Sequence, residues 1–332
     1  MDICILGAGN WGTTLAVMLA GNGHIIRLWE FRKAAAEQIA RERENKEFLP
    51  GIAIPPQVLV TDDLSHALDK AAICIFALPS KVLRPVCTQV KPLVKHEVLC
   101  LSVIKGLEQG TLLRMSQVIA EVLGEAATKL CVLSGPNIAW EIARGMPATT
   151  VVASRDQQDA ELARSALMNK AFRVYTSGDV IGLELGGALK NVIAIASGIA
   201  DGLDLGANTK GALLTRGLAE ITRLGAAMGA RPETFAGLSG MGDLVTTCFS
   251  DHSRNRSVGQ QIGRGKQLGQ ILAGMAMVAE GVGTTKAAWQ LAVRHGVEMP
   301  ITEQMYQVLS HGKDPRAAVS DLMTRNPKAE GA

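Results

Sequence analysis

Residues 2–12, DICILGAGNWG, restrict the fold more than any other stretch of this chain. Asp2 to Leu6 reads as a short buried strand, three glycines follow in the spacing GxGxxG, and TTLAVMLAGNG continues at helical period. Gly7 permits the tight turn, Gly9 lets a backbone approach a pyrophosphate, and Gly12 allows close packing of helix on strand. The amide groups opening the helix then face the phosphates. A second strand, IIRLW, ends at Glu30, 18 residues after Gly12, where a carboxylate accepts from ribose hydroxyls. Together these features predict a dinucleotide-binding βαβ unit. Glu30 favours NAD, whereas Arg32, after Phe31, offers a guanidinium to the 2′-phosphate of NADP. The residues leave NAD and NADP both open.

The alternation continues. After a helical stretch and a Pro-rich turn over Leu49–Pro56, apolar runs of strand length recur at 72–79, 97–103 and 129–135, with helix-like segments near 80–90 and 111–123. PATTVVAS (147–154), a helix near 156–168 and FRVYTS (172–177) complete a doubly wound α/β sheet. Ligands in such sheets sit beyond the carboxyl ends of the strands, which directs attention to Leu78-Pro79-Ser80, Lys105-Gly106 and Gly135-Pro136-Asn137. Lys105 sets an ammonium where a cofactor or an anionic substrate lies, unless it is a solvated loop residue.

From 179 to 332 no strand alternation is visible, and amphipathic segments at 212–229, 257–273 and 283–295 predict helices. A Rossmann-type domain over 1–178 and an all-helical domain over 179–332 are expected. The helical half begins with VIGLELGGALKNVIAIASGIADG (180–202), an apolar run in which Lys190 and Asn191 are out of place. A desolvated ammonium needs a counter-charge or a route to solvent along its own stem. Gly186, Gly187, Ala194 and Ser197 share its face and leave room for a ligand or a second backbone. Glu184, Lys190 and the glycines argue against a bilayer span.

Two later loops carry polar groups. GLSGMGDLVTTC (237–248) brings Asp243 and Thr247, and its Met241 breaks the GxSxG pattern that a hydrolase serine at 239 requires. Asp243 also suits a helix cap. DHSRNRS (251–257) supplies Arg254 and Asn255 as donors for an oxyanion, or only a solvated charge cluster. Glu280 precedes a glycine in VAEGVGTTKAA (278–288), read as a loop.

Bulk properties exclude other classes. A net charge of +3, without a Lys/Arg stripe, gives no nucleic-acid footprint. Six cysteines lack CxxC spacing and fit a reducing cytoplasm, the first residues do not form a signal peptide, and no histidine pattern calls for a metal. The only low-complexity stretch is the small polar tail at 327–332.

GAGNWGT, Lys105-Gly106, GPNIAWEIA, GALKNVIAIASGIADGL, GLSGMGDLVTTC, SRNR and AEGVGT occur in an order that resembles the bacterial NAD(P)-dependent glycerol-3-phosphate dehydrogenases across nearly the whole chain. The resemblance implies interconversion of sn-glycerol 3-phosphate and dihydroxyacetone phosphate, a supply of glycerol phosphate for phospholipid synthesis, and a cytoplasmic homodimer. By the same resemblance Asn10, Trp11, Lys105, Ala139, Arg254 and Glu280 contact the cofactor. Lys105, Gly135, Asn137, Lys190, Asn191, Asp243, Ser253, Arg254 and Asn255 contact substrate, Lys190 is the proton acceptor, and Thr247 supports it. Asn10, Asn137 and Glu30-Phe31-Arg32 depart from the commonest family pattern; only the last bears on function, because it leaves NADH against NADPH undecided. Other two-domain dehydrogenases, of the 3-hydroxyacid or 6-phosphogluconate type, share the fold but not the GMGD and SRNR loops. A dinucleotide sensor without turnover would not need Lys105, Lys190 and Asp243 together.

Overall fold

The computed structural model describes every residue except 276, 328 and 330–332, so part of the polar tail at 327–332 lies outside the described residues. Ten strands are present among them: β1 (Asp2–Leu6), β2 (Ile25–Trp29), β3 (Glu44–Asn45), β4 (Leu49–Ala53), β5 (Val58–Thr61), β6 (Ile73–Phe76), β7 (Leu99–Ser102), β8 (Leu130–Ser134), β9 (Ala148–Ser154) and β10 (Phe172–Ser177). Eight of them form one sheet in the order β10-β9-β8-β7-β6-β1-β2-β5. All neighbours are parallel except β8 and β9. The chain steps outward from β1 to β2 on one side and to β6 on the other, so a crevice opens beyond the ends of β1 and β6.

Interleaved helices are α1 (Asn10–Gly21), α2 (Lys33–Glu42), α3 (Leu64–Leu68), α4 (Leu83–Val90), α5 (Met115–Leu123), α6 (Ala139–Ala143) and α7 (Gln157–Leu167). They cover both faces, which is why the central strands are apolar at nearly every position. Ile3 and Ile5 of β1 pack with Leu15 and Leu19 of α1, whereas Cys4 and Leu6 pack with Val86 of α4 and Ile119 of α5. All six cysteines are free and buried, most of them in this sheet core.

The second half contains α8 (Val180–Gly202), α9 (Gly206–Ala227), α10 (Pro232–Ala236), α11 (Asp243–Phe249), α12 (Arg254–Gly263), α13 (Leu268–Ala273), α14 (Glu280–His295), α15 (Pro300–His311) and α16 (Pro315–Met323). Asp179 caps α8 by accepting from the Gly182 amide at 2.9 Å, and no proline interrupts the run that follows. Buried on every side and apolar apart from Glu184, Lys190, Asn191 and a few small polar positions, α8 becomes the axis against which α9, α11, α12 and α14 pack. It is long and apolar enough to cross a membrane by length and composition alone, but 89% of its most apolar window is buried within the protein.

The structure differs from the sequence expectations at several places. The Pro-rich turn expected at Leu49–Pro56 contains a strand, β4, which pairs with β3 in a hairpin before the chain enters the edge strand β5. The single helix expected over 257–273 is divided into α12 and α13, with Gly265 at φ +89° in the break. Glu280 lies not in a loop but at the first position of α14. The small residues beside Lys190 admit protein rather than substrate. A Cβ at Gly186 would stand 2.7 Å from the Ser239 carbonyl, and one at Gly187 would meet Ser134 Oγ at 2.5 Å and the Lys105 stem at 3.4 Å. Ser197 donates to the Cys248 carbonyl.

Candidate active site

A cleft of about 1340 Å³ runs from the glycine turn after β1 to the middle of α8. At its sheet end Gly7 adopts φ +110°, and a Cβ there would come within 2.6 Å of the Ala77 carbonyl, where the ends of β1 and β6 converge. Gly12 abuts the Gly7 carbonyl, and its own Cβ would lie 3.3 Å from that of Ala77. At Gly9 an added Cβ would meet nothing within 4 Å and would project into the space a pyrophosphate needs. No side chain caps α1, so the amides of its first turn are free to receive an anion. These residues fit a dinucleotide. Asn10, Trp11, Ala139, Glu30, Phe31 and Arg32 line the same cleft.

The hairpin β3-β4 is fastened to this turn. Asn45, buried, donates from Nδ2 to the Ala8 carbonyl at 2.7 Å and to Thr13 Oγ1 at 2.9 Å. Its turn carries Glu47 and Phe48 to the cleft wall, a position the sequence reading missed because a two-residue strand carries no periodic signal.

At the other end, the Asp243 carboxylate is buried between two ammonium groups. Lys190 Nζ donates to Oδ1 at 2.7 Å and to Thr247 Oγ1, whose hydroxyl also lies 3.3 Å from Oδ1. Lys105 Nζ donates to Oδ2 at 2.6 Å and to the Gly135 carbonyl at 2.8 Å. A single π-helical turn, Leu238–Gly242, leads into α11 and sets Asp243 against α8; Gly186 permits its close approach. Two cations against one carboxylate leave one positive charge over, and both lysines line the cleft. Burial pushes the Lys105 pKa down to about 8; Asp243 opposes the shift and the charge on Lys190 adds to it.

Between these ends α12 points its first turn at the cleft. Ser253 caps it by accepting from the Arg256 amide at 3.2 Å, and Arg254 donates to the Val278 carbonyl at 2.9 Å. Burial lowers the Arg254 pKa, with Glu280 opposing. Asn255 bridges three elements: its Nδ2 donates to Asn191 Oδ1 at 2.9 Å, and its Oδ1 accepts from the Gly281 amide at 3.0 Å. Asn137 donates to Thr150 Oγ1 at 3.0 Å, and its Oδ1 is buried without a hydrogen-bond partner among the described residues.

Of the catalytic, cofactor and substrate residues expected from sequence, Gly12, Gly135 and Asp243 stand behind the cleft wall and the others line it, whereas Ser80, Gly106 and Pro136 at the strand ends, and Gly186, Gly187, Ala194 and Ser197 beside Lys190, do not. Glu280 is already engaged across the cleft, accepting from the Ser80 amide at 2.9 Å and from Ser80 Oγ at 2.5 Å. Trp140 was missed. Its ring lies 5.1 Å from that of His252 and 3.7 Å from the Arg144 guanidinium, joining α6 to the loop before α12. Among the described residues no group of three or more His, Cys, Asp or Glu side chains is disposed to hold a metal ion.

Comparison with known proteins agrees along the whole chain. Residues 2–160 match the model of the NAD-dependent glycerol-3-phosphate dehydrogenase N-terminus, and residues 179–320 match that of the C-terminus. A protein of Geobacillus kaustophilus named glycerol-3-phosphate dehydrogenase [NAD(P)+] is 50% identical over 330 residues, 99% of this chain and 96% of that one. A protein of the same name from Citrifermentans bemidjiense is 51% identical, over 99% of this chain and 98% of its own length. The crystal structure of the Coxiella burnetii glycerol-3-phosphate dehydrogenase superposes with a TM-score of 0.93 at 38% identity, covering 98% of this chain and 99% of that one. With its two halves matched in order, its length shared with these relatives and its fold shared with a solved member, the chain belongs to the NAD-dependent glycerol-3-phosphate dehydrogenase family.

Proposed function

We propose that this chain interconverts dihydroxyacetone phosphate and sn-glycerol 3-phosphate by hydride exchange with NAD(H) or NADP(H), and that Lys190 donates and accepts the proton. The observation that carries the reading is the buried Lys190–Asp243–Lys105 group, open on one side to a cleft whose other end fits a dinucleotide. When bound, the dinucleotide supplies the hydride in one direction and takes it up in the other.

The remaining chemistry belongs to the chain. Reduction turns the substrate carbonyl oxygen into an alkoxide, which needs a positive partner and then a proton. Lys190 spends two of its three N–H bonds on Asp243 and Thr247, which aim the third into the cleft. Lys105 adds the second positive charge beside the reacting oxygen. Asp243 holds both ammonium groups in place and keeps their mutual repulsion from spreading them. The phosphate of the substrate meets Arg254 and the first turn of α12, and Asn191 and Asn255 fix that turn relative to Lys190. Binding energy gathered at the phosphate thereby orients the reacting carbon. The uncommitted Oδ1 of Asn137 is an acceptor for a substrate hydroxyl.

The reading divides the chain at residue 178: a cofactor domain up to the end of β10 and a substrate domain from α8 onward. It also makes the protein a cytoplasmic homodimer that supplies glycerol phosphate for phospholipid synthesis. The test is oxidation of reduced nicotinamide, followed by its absorbance, with a panel of keto substrates. Dihydroxyacetone phosphate should exceed unphosphorylated dihydroxyacetone and 2-keto acids in kcat/KM by at least about a hundredfold. Equal or better turnover of a substrate without phosphate would overturn the assignment.

A further inference from the structure

The adenosine end of the cleft holds one guanidinium between two carboxylates. Glu30 Oε1 accepts from Arg32 Nε at 2.8 Å and from the Arg32 amide at 3.1 Å. Arg32 Nη1 lies 3.0 Å from Glu47 Oε2 and 3.2 Å from Oε1. The same guanidinium sits 5.6 Å from the Phe31 ring centre and 5.5 Å from that of Phe48, so it is held by its flanks as well as its edges. Glu47 arrives from the β3-β4 turn, whose Asn45 is anchored to the glycine turn, and its position is therefore coupled to the phosphate site.

We propose that Glu47 sets the cofactor preference of this chain, favouring NADH over NADPH by engaging Arg32 with a second carboxylate. The inference rests on the dinucleotide reading of the cleft given above. The two cofactors differ only at the ribose 2′ position, a hydroxyl in one and a phosphate dianion in the other. The hydroxyl can donate to Glu30 Oε2, which receives no hydrogen bond from any described residue. The phosphate would need Arg32, whose Nε and Nη1 edges already face carboxylates. Two carboxylates against one guanidinium leave a negative excess where that phosphate must sit. Glu47 is half-exposed, 45% by side chain, so solvent and salt soften the repulsion and the result is a preference rather than an exclusion. Glu30 has a second task at the ribose. Glu47 hydrogen-bonds only Arg32 among the described residues, so its effect can be separated from ribose binding.

The experiment is equilibrium titration of NADH and of NADPH, followed by nucleotide fluorescence, into the wild-type chain, Glu47→Gln, and Glu47→Gln combined with Arg32→Ala. The wild type should bind NADH more tightly than NADPH. Glu47→Gln should tighten NADPH roughly fivefold and change NADH by less than about twofold, as expected for one partly exposed charge pair. Adding Arg32→Ala should abolish the gain. An unchanged ratio of the two affinities in Glu47→Gln, or a gain that survives Arg32→Ala, would overturn the role of Glu47. Failure of the wild type to bind either nucleotide would instead overturn the dinucleotide reading, so the two failures are distinct.

Discussion

Lys105 is the residue whose charge state the site leaves most open to pH. Its ammonium is favoured by Asp243 at 2.6 Å, yet burial and the neighbouring Lys190 bring its pKa down to about 8. The charged form is present below that value and is lost as pH rises through it. In the proposed reaction the charged form stabilises the developing alkoxide, so kcat/KM for dihydroxyacetone phosphate should fall above a pH of about 8. Lys105→Arg keeps the charge and removes the ionisation, so it should retain partial activity while displacing that limb to higher pH. A pH profile in which the limb stays where it is would assign it to another group. The sequence supported a lysine at this strand end but offered no sign that it shares a carboxylate with Lys190, because the two are 85 positions apart and meet only through Asp243.

At the scale of elements, the contact between α8 and α12 positions Arg254 and Asn255 at the cleft. Gly198 and Gly202 of α8 face Gly259 and Gly263 of α12, each pair one helical turn apart. A Cβ at Gly259 would stand 2.9 Å from the Ile199 amide nitrogen, and one at Gly263 would stand 2.6 Å from the Ile199 carbonyl. Gly→Ala in a helix gains about 1 kcal/mol of propensity, but crowding a main-chain atom that cannot turn aside costs about 1–3 kcal/mol. Gly259→Ala should therefore lower the melting temperature. It should also raise KM for the phosphorylated substrate more than it lowers kcat, because α12 carries Arg254. Gly211 of α9, with nothing within 4 Å of its Cβ position, is the control: Gly211→Ala should melt no lower than wild type. Elements made by local signals were legible from sequence, as at GAGNWG, the apolar strands and α8. The glycine seam was not, since it exists only once two helices are brought together. Nor was the β3-β4 hairpin, whose first strand is two residues long and carries no periodic signal.

At the scale of the molecule, the sheet half and the helical half are joined by buried polar contacts as well as by apolar packing. Glu184 of α8 accepts from the Ser116 amide at 2.7 Å and pairs with Arg114, and Glu280 of α14 reaches Ser80 beyond β6. The cleft is walled by both halves: the glycine turn comes from the sheet half, Lys190, Asp243 and Thr247 come from the helices, and Lys105 reaches Asp243 from the sheet half. That division makes Lys190→Ala the most direct test of the central claim, with NADH affinity and single-turnover reduction of dihydroxyacetone phosphate measured on the same preparation. Lys190→Ala should bind NADH within about twofold of wild type and lose about a thousandfold in the reduction rate, the scale of a missing general acid. A variant that binds NADH and reduces dihydroxyacetone phosphate at the wild-type rate would contradict the account.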